Sequence, residues 1–176
     1  MKTNRIKKIA SLIRDVPNFP KPGIIFKDIT PLIGDATGLK LTLDMLAQSF
    51  VDQGITTVVG MESRGFIFGV PVAERLNVGF VPVRKPGKLP AAVISEQFEL
   101  EYGSDTLQMH KDALSTNDRV LIVDDLLATG GTAAATIRMI KNLGATVAGA
   151  TFVIELDFLK GRERLSNVEI KSLLHY

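Results

Sequence analysis

The sequence predicts an α/β domain built on a mostly parallel, twisted sheet flanked by helices. Two observations carry that expectation. Stretches such as Thr57-Val-Val-Gly-Met61 and Val120-Leu-Ile-Val123 are apolar along their whole length, the pattern of a strand buried on both faces rather than of one with a wet face. Between such stretches lie segments with apolar residues at helical spacing, and strands alternating with helices build parallel sheets. At 176 residues, 45% of them apolar, the chain suffices for the core of one ordinary domain and is short for two.

In chain order, residues 1–14 carry Lys2, Arg5, Lys7 and Lys8 among Ile6, Ile9, Leu12 and Ile13. The apolar residues recur at helical spacing instead of forming the unbroken run of a signal peptide, so the segment reads as an amphipathic helix. Pro17, Pro20, Pro22, Gly23 and Pro31 then exclude a regular helix. An ordered loop lined by Phe19, Ile24, Ile25 and Phe26 is expected there. Leu39, Leu43, Leu46, Ala47 and Phe50 mark a helix, and a short strand at 57–61 stops at Glu62. A helix over 66–76, a strand at 80–84 and a Lys/Pro/Gly loop at 85–90 follow. Residues 93–98 and 106–110, separated by Tyr102, Gly103, Ser104 and Asp105, suggest a hairpin or lid. The rest reads as a strand at 119–123, a helix at 132–143, a strand at 146–154 and a last strand at 168–173. In such a sheet, ligands sit beyond the carboxyl ends of the strands.

Composition narrows the chemistry. The net charge of +2 gives no general basic field for a nucleic-acid backbone. The absence of cysteine removes disulfides, thiolate metal sites and cysteine nucleophiles together. No uncharged apolar run approaches the ~20 residues that span a bilayer. A soluble, cytoplasmic protein acting on small molecules, without nucleic-acid or membrane partners, is the expectation.

The most informative run is Val120-Leu-Ile-Val-Asp-Asp-Leu-Leu-Ala-Thr-Gly-Gly-Thr132. It joins an apolar strand, two adjacent carboxylates, a small-residue turn and a helix start. Gly130 and Gly131 permit close backbone approach, and the hydroxyls of Thr129 and Thr132 join the free N–H groups of the helix start as donors to a phosphate. The turn lacks the Gly-Lys-Ser/Thr ending of a Walker loop, and no Gly-x-Gly-x-x-Gly fingerprint occurs. What remains is a site for one terminal monophosphate, with Asp124 and Asp125 placed to accept hydrogen bonds from vicinal hydroxyls. Thr-Gly-Gly-Thr alone is more often a plain strand-to-helix turn; the strand and acids before it reverse those odds. Ribose 5-phosphate satisfies both halves.

A second anion site is indicated at Glu62-Ser-Arg-Gly-Phe66, where Arg64 offers a donor fork and Gly65 and a helix start offer N–H groups. Ser63 is not a hydrolase nucleophile, because Met61 stands where Gly-x-Ser-x-Gly requires glycine.

The thirteen-residue run resembles the phosphoribosyl pyrophosphate (PRPP) motif of type I phosphoribosyltransferases, and its Val-Asp-Asp-Leu-Leu-Ala-Thr-Gly-Gly-Thr form resembles their adenine-specific branch. Phe19 to Pro31, Glu62 to Phe66, Arg84 to Pro90, Leu100 to Gly103 and Glu155 to Leu165 are similar to that branch's adenine segment, pyrophosphate loop, lid start, catalytic lid end and C-terminal segment. The resemblance implies the type I fold as a single domain over 1–176, with a small N-terminal hood at about 1–34 and a flexible lid at about 85–106. The implied reaction joins adenine to PRPP, giving AMP and pyrophosphate, in purine salvage. Mg²⁺ would be held mainly through PRPP and pyrophosphate, with no metal ligand directly from protein side chains, and the protein would be a homodimer.

The same resemblance assigns roles. Asp124, Asp125, Ala128, Thr129, Gly130, Gly131 and Thr132 would bind PRPP or AMP. Ser63, Arg64, Arg84, Lys85, Lys88 and His110 would bind pyrophosphate, Arg84 and His110 in their own or the neighbouring subunit. Phe26 would stack on adenine, Leu159 would close its other face, and the backbone around Ile25 and Lys27 would read its N6 and N1. The family often has arginine where Lys27 stands, which puts a side-chain role there in question and leaves backbone readout intact. Glu101, beside Tyr102, would take the purine proton or hold its N7 edge; with Arg64 these two make up the catalytic set. A strained or cis peptide bond is implied within residues 61–64. The alternatives are a phosphoribosyltransferase for another purine such as xanthine, or a non-catalytic PRPP-sensing regulator. The regulator would need a nucleic-acid-binding region for which the chain has no spare segment.

Overall fold

A computed structural model describes residues 2–99, 104–165 and 167–176. The chain forms two compact units, Met1–Met45 and Leu46–Tyr176.

The N-terminal unit opens with α1 (Lys2–Ala10), the helix that the spacing of Ile6 and Ile9 predicts, and Ile9 is buried. Residues 17–31 are more regular than the loop expected. Strands β1 (Arg14–Pro17) and β2 (Ile25–Asp28) pair antiparallel, with Val16 opposite Phe26, and α2 (Thr30–Gly34) follows. The prolines are tolerated because Pro17 ends its strand and Pro31 sits in the first helical turn, where a missing N–H costs little. Asn18 and Gly23 turn the chain in the left-handed region, the Gly23 N–H donating to Asn18 Oδ1 at 2.9 Å. Helix α3 (Ala36–Gln48) begins in this unit.

The junction after β2 is fastened by Asp28. Arg14 Nε and Nη2 donate to Asp28 Oδ2 at 2.9 and 2.6 Å, and the Thr30 N–H donates to its Oδ1 at 2.9 Å. The Thr30 N–H, Arg14 and the Thr30 hydroxyl, in that order, lower the pKa of Asp28 from 3.8 to about 2. A depressed folded-state pKa gives stability that is present above 3.8 and lost as pH falls through about 2. The Thr30 amide resonance should therefore titrate with a midpoint near 2 and stop titrating in Asp28→Asn; a midpoint at 3.8 would contradict the linkage.

The larger unit is a five-stranded sheet. Strands β3 (Thr57–Met61), β4 (Gly79–Val83), β7 (Arg119–Leu127), β8 (Thr146–Glu155) and β9 (Ile170–His175) stand in the order β4-β3-β7-β8-β9, and every pairing is parallel. The central strands are buried as their uninterrupted apolar runs predict: all five residues of β3 are buried. Helices α4 (Arg64–Leu76) and α5 (Gly131–Asn142) cross between strands and pack on the sheet. Val59, Met61, Val120, Ile122 and Phe152 share a core with Ile137, Met139 and Ile140 of α5.

Strand β7 runs four residues beyond the expected 119–123, because Asp124, Leu126 and Leu127 keep pairing with β8. The two carboxylates thus sit on a strand end fixed by ladder hydrogen bonds. The expected hairpin consists of β5 (Val93–Glu99) and β6 (Ser104–His110), antiparallel, with Phe98, Leu107 and Met109 buried. Arg138 of α5 ties it down by donating from Nε to Glu96 Oε2 at 2.9 Å. Between β8 and β9, where no element is expected from sequence, lie two 3₁₀ turns, Asp157–Leu159 and Gly161–Leu165.

Candidate active site

The carboxyl ends of β3 and β7 and the starts of α4 and α5 enclose a cleft of about 240 Å³. Glu62, Ser63 and Arg64 line one side; Asp124 to Ala133 and Phe152 line the rest. The two segments singled out in the sequence, 62–66 and 120–132, therefore converge on one cavity.

Their convergence follows from the strand register. Thr57 pairs with Val120 and Gly60 with Val123, so β3 and β7 end side by side and release their loops together. Each loop enters a helix of twelve or more residues with no acidic residue in its first turn. Two helix starts, each with the partial positive charge of a helix N-terminus, thus flank the cleft. Gly130 makes its turn possible at φ 79°, a left-handed conformation that L side chains avoid. The Glu62–Ser63 peptide bond is cis, within the segment where the resemblance implies one.

Asp125 is 5% exposed, and Arg64 Nε stands 3.1 Å from its Oδ2. The Asp125 N–H donates to Asp124 Oδ1 at 2.9 Å. A side chain at Gly65 would come within 2.8 Å of that same oxygen, so the start of α4 seats directly against the acid. Burial raises the pKa of Asp124 well above the usual carboxylate value, and the neighbouring Asp125 charge raises it further. Asp124 keeps partial exposure at the cleft, and burial is the larger of the two causes. Burial likewise raises Asp125, and the Arg64 charge opposes the rise. Burial beside each other disfavours the fully charged pair; a ligand with two hydroxyl donors would relieve both acids by donating to them.

Of the residues expected at the site, Ser63, Arg64, Asp124, Asp125, Ala128, Thr129, Gly130, Gly131 and Thr132 all line this cleft. Arg84, Lys85, Lys88 and His110 are not among the described residues lining it. Arg84 Nε donates to Glu62 Oε2 at 2.8 Å and Nη1 to the Lys88 carbonyl at 3.2 Å, while Lys85 pairs closely with Asp105. His110 Nε2 accepts from the Ala91 N–H at 3.4 Å. Ile25, Phe26 and Lys27 lie on β2 of the N-terminal unit, where Phe19 packs edge-on against Phe26 with ring centroids 5.2 Å apart and Lys27 Nζ pairs with Asp15 at 2.7 Å. Leu159 ends a 3₁₀ turn of the larger unit, 39% exposed. Glu101 and Tyr102 lie outside the described residues.

Ala133 and Phe152 line the cleft outside both segments singled out in the sequence, and Glu62, Leu126 and Leu127 lie within those segments but are assigned no role of their own. Phe152 carried no signal beyond a core strand position. Glu62 could have been found as the first carboxylate after β3, and it holds Arg84.

Residues 36–172 match the phosphoribosyl transferase domain family. The adenine phosphoribosyltransferase of Nitrosococcus oceani is 57% identical over 171 residues, covering 97% of this chain and 100% of that protein. The crystal structure of adenine phosphoribosyltransferase from Thermoanaerobacter pseudethanolicus superposes with a TM-score of 0.94 at 49% identity, over 97% of this chain and 99% of the other. That of the Saccharomyces cerevisiae enzyme, complexed with an imino-altritol bisphosphate and adenine, gives 0.92 at 41% identity, over 98% and 99%.

Proposed function

The chain belongs to the phosphoribosyl transferase domain family, and from that membership we propose that it transfers the 5-phosphoribosyl group of PRPP to adenine, releasing pyrophosphate and forming AMP for purine salvage. The observation that carries the proposal is the cleft in which an acid pair on a strand end adjoins a glycine turn and a helix start. The turn and helix start take the 5-phosphate, and Asp124 and Asp125 accept from the ribose hydroxyls. Ser63 and Arg64, with the N-terminus of α4, take the pyrophosphate, and Arg84, Lys85, Lys88 and His110 contribute on closure of the 85–106 segment. The choice of base rests on the adenine-specific relatives. Phe26 and Leu159 supply apolar contact to it, and the backbone at Ile25 and Lys27 supplies its polar edge.

Mg²⁺ suits a cleft whose side-chain donors include carboxylate and hydroxyl oxygens, the ligands a hard cation prefers. Bound mainly through the substrate's phosphates, it would neutralise charge on the departing pyrophosphate. The chain's own part is to hold the ribose by Asp124 and Asp125, to fix both phosphate ends at two helix starts, and to receive the purine proton at Glu101. The protein is proposed to work in the cytoplasm as a homodimer.

The phosphate assignment is tested by calorimetry with PRPP. Gly131→Val, or Thr129→Ala with Thr132→Ala, removes backbone access or hydroxyl donors, and either change should weaken binding by about tenfold or more. Affinity equal to that of the unmodified protein would refute the assignment.

A further inference from the structure

The glycine turn of the cleft does not stand alone. Gly161, at the start of the second 3₁₀ turn, is buried against its backbone. A Cβ on Gly161 would lie 2.1 Å from the Ala128 carbonyl oxygen and 3.0 Å from the Gly130 nitrogen; a Cβ on Gly130 would lie 2.4 Å from the Gly161 carbonyl oxygen. The two backbones touch with no space for a methyl group on either side.

The segment carrying Gly161 is the firmer of the two partners. Arg162 donates from Nε and Nη2 to the two oxygens of Glu155, at 2.9 and 2.6 Å, and from Nη1 to the Ile170 carbonyl at 3.3 Å. Glu155 is 4% exposed at the end of β8, and Ser172 Oγ donates to it from β9 at 2.6 Å. Burial raises the Glu155 pKa, but the hydrogen bonds from Arg162 and Ser172 outweigh it, so the carboxylate stays charged and the fork intact. Leu165 closes the turn with its side chain in the sheet core. The segment is thus pinned to β8, β9 and the core, whereas the turn at 128–130 spans open cleft on its other side.

The geometry points to Gly161 as a positioning residue for phosphate binding: through backbone contact alone it sets the height of the 128–130 turn, with Arg162 and Glu155 as the strut behind it. The inference rests on the reading above that this turn holds the substrate's 5-phosphate. A methyl group on Gly161 must gain about 1 Å of clearance to reach even the shortest tolerated contact with Ala128. With one side pinned, the turn gives way and its N–H groups leave the phosphate.

Ribose 5-phosphate is the probe for this turn, and pyrophosphate with Mg²⁺ is the probe for the other end of the cleft, both titrated calorimetrically against the 176-residue chain. Gly161→Ala should weaken ribose 5-phosphate about tenfold and leave pyrophosphate within about twofold. Gly79→Ala, a strand glycine whose Cβ would meet nothing within 4 Å, should leave both unchanged. Arg162→Lys keeps the charge but loses the two-point fork, and should cost about threefold for ribose 5-phosphate alone; it carries the test if Gly161→Ala does not fold. Equal affinity of the unmodified protein and Gly161→Ala for ribose 5-phosphate would overturn the inference. So would parallel loss of both ligands, which marks general damage rather than positioning. If the unmodified protein itself binds no ribose 5-phosphate, the phosphate assignment fails before any variant is compared, and the inference falls with it.

Discussion

Replacing both cleft acids, Asp124→Asn with Asp125→Asn, should lower turnover by a factor of about 10² to 10⁴, because the two charge-assisted hydrogen bonds of the proposed ribose contact, each worth roughly 1.5–3 kcal/mol, would be lost. Asp124→Asn alone should lower turnover by about 10- to 100-fold and at the same time raise the melting temperature. The second effect follows from the sign of the shift. Burial and the Asp125 charge raise the Asp124 pKa in the folded protein, so its contribution to stability is complete below the ordinary value of 3.8 and is lost as pH rises through the raised value. Asparagine, neutral throughout, escapes that loss. A gain of about 1 kcal/mol at neutral pH would lift the melting temperature of a chain this size by ~2–4 °C. The gain should vanish near pH 3.8, where the wild-type carboxyl is already protonated. Scanning calorimetry at the two pH values, with steady-state rates, checks both halves. A variant destabilised at neutral pH, or one with normal turnover, would mean that the acids serve the fold.

The second large effect is expected at Glu101. In the proposed mechanism this carboxylate receives the purine proton as the new bond to the ribose forms. Glu101→Gln keeps length and shape and removes the acceptor, so the chemical step should slow by a factor of about 10² to 10⁴ with both substrates still binding. Glu101→Leu should be at least as damaging, since it also discards the hydrogen bond to the purine edge. If Glu101 were a solvated loop charge and the lid merely excluded water, the glutamine variant would keep nearly full turnover while a shortened lid would lose it. Single-turnover kinetics isolate chemistry from product release and separate the two cases. Near-normal chemistry in Glu101→Gln would remove the residue from the catalytic set.

Strands whose environment is uniform could be read from sequence. Thr57 to Met61 is apolar throughout because it is buried throughout, and its expected and observed bounds coincide. The cleft was legible for a related reason: both of its loops are continuous in sequence, each with its donors, glycines and helix start in one run. Features set by distant contacts were not legible. The β1–β2 pair is four residues long on each side and bounded by prolines, and its lock, Arg14 to Asp28, spans fourteen positions. The 3₁₀ turns at 157–165 are held by the Arg162–Glu155 fork and by Leu165 in the core rather than by any local periodicity. Gly161 shows the limit most plainly. Its neighbour Ala128 lies thirty-three positions upstream, and a glycine whose role is to be absent from a contact leaves no pattern around it.

The most direct test of the central claim is an initial-rate assay of purified protein with PRPP and Mg²⁺ against adenine, hypoxanthine, guanine and xanthine in parallel, following nucleotide and pyrophosphate together. The account predicts AMP and pyrophosphate in equal amounts from adenine, dependent on PRPP, with the other three bases giving little or no nucleotide. A preference for one of the other bases, or no nucleotide from adenine while PRPP still binds, would contradict it.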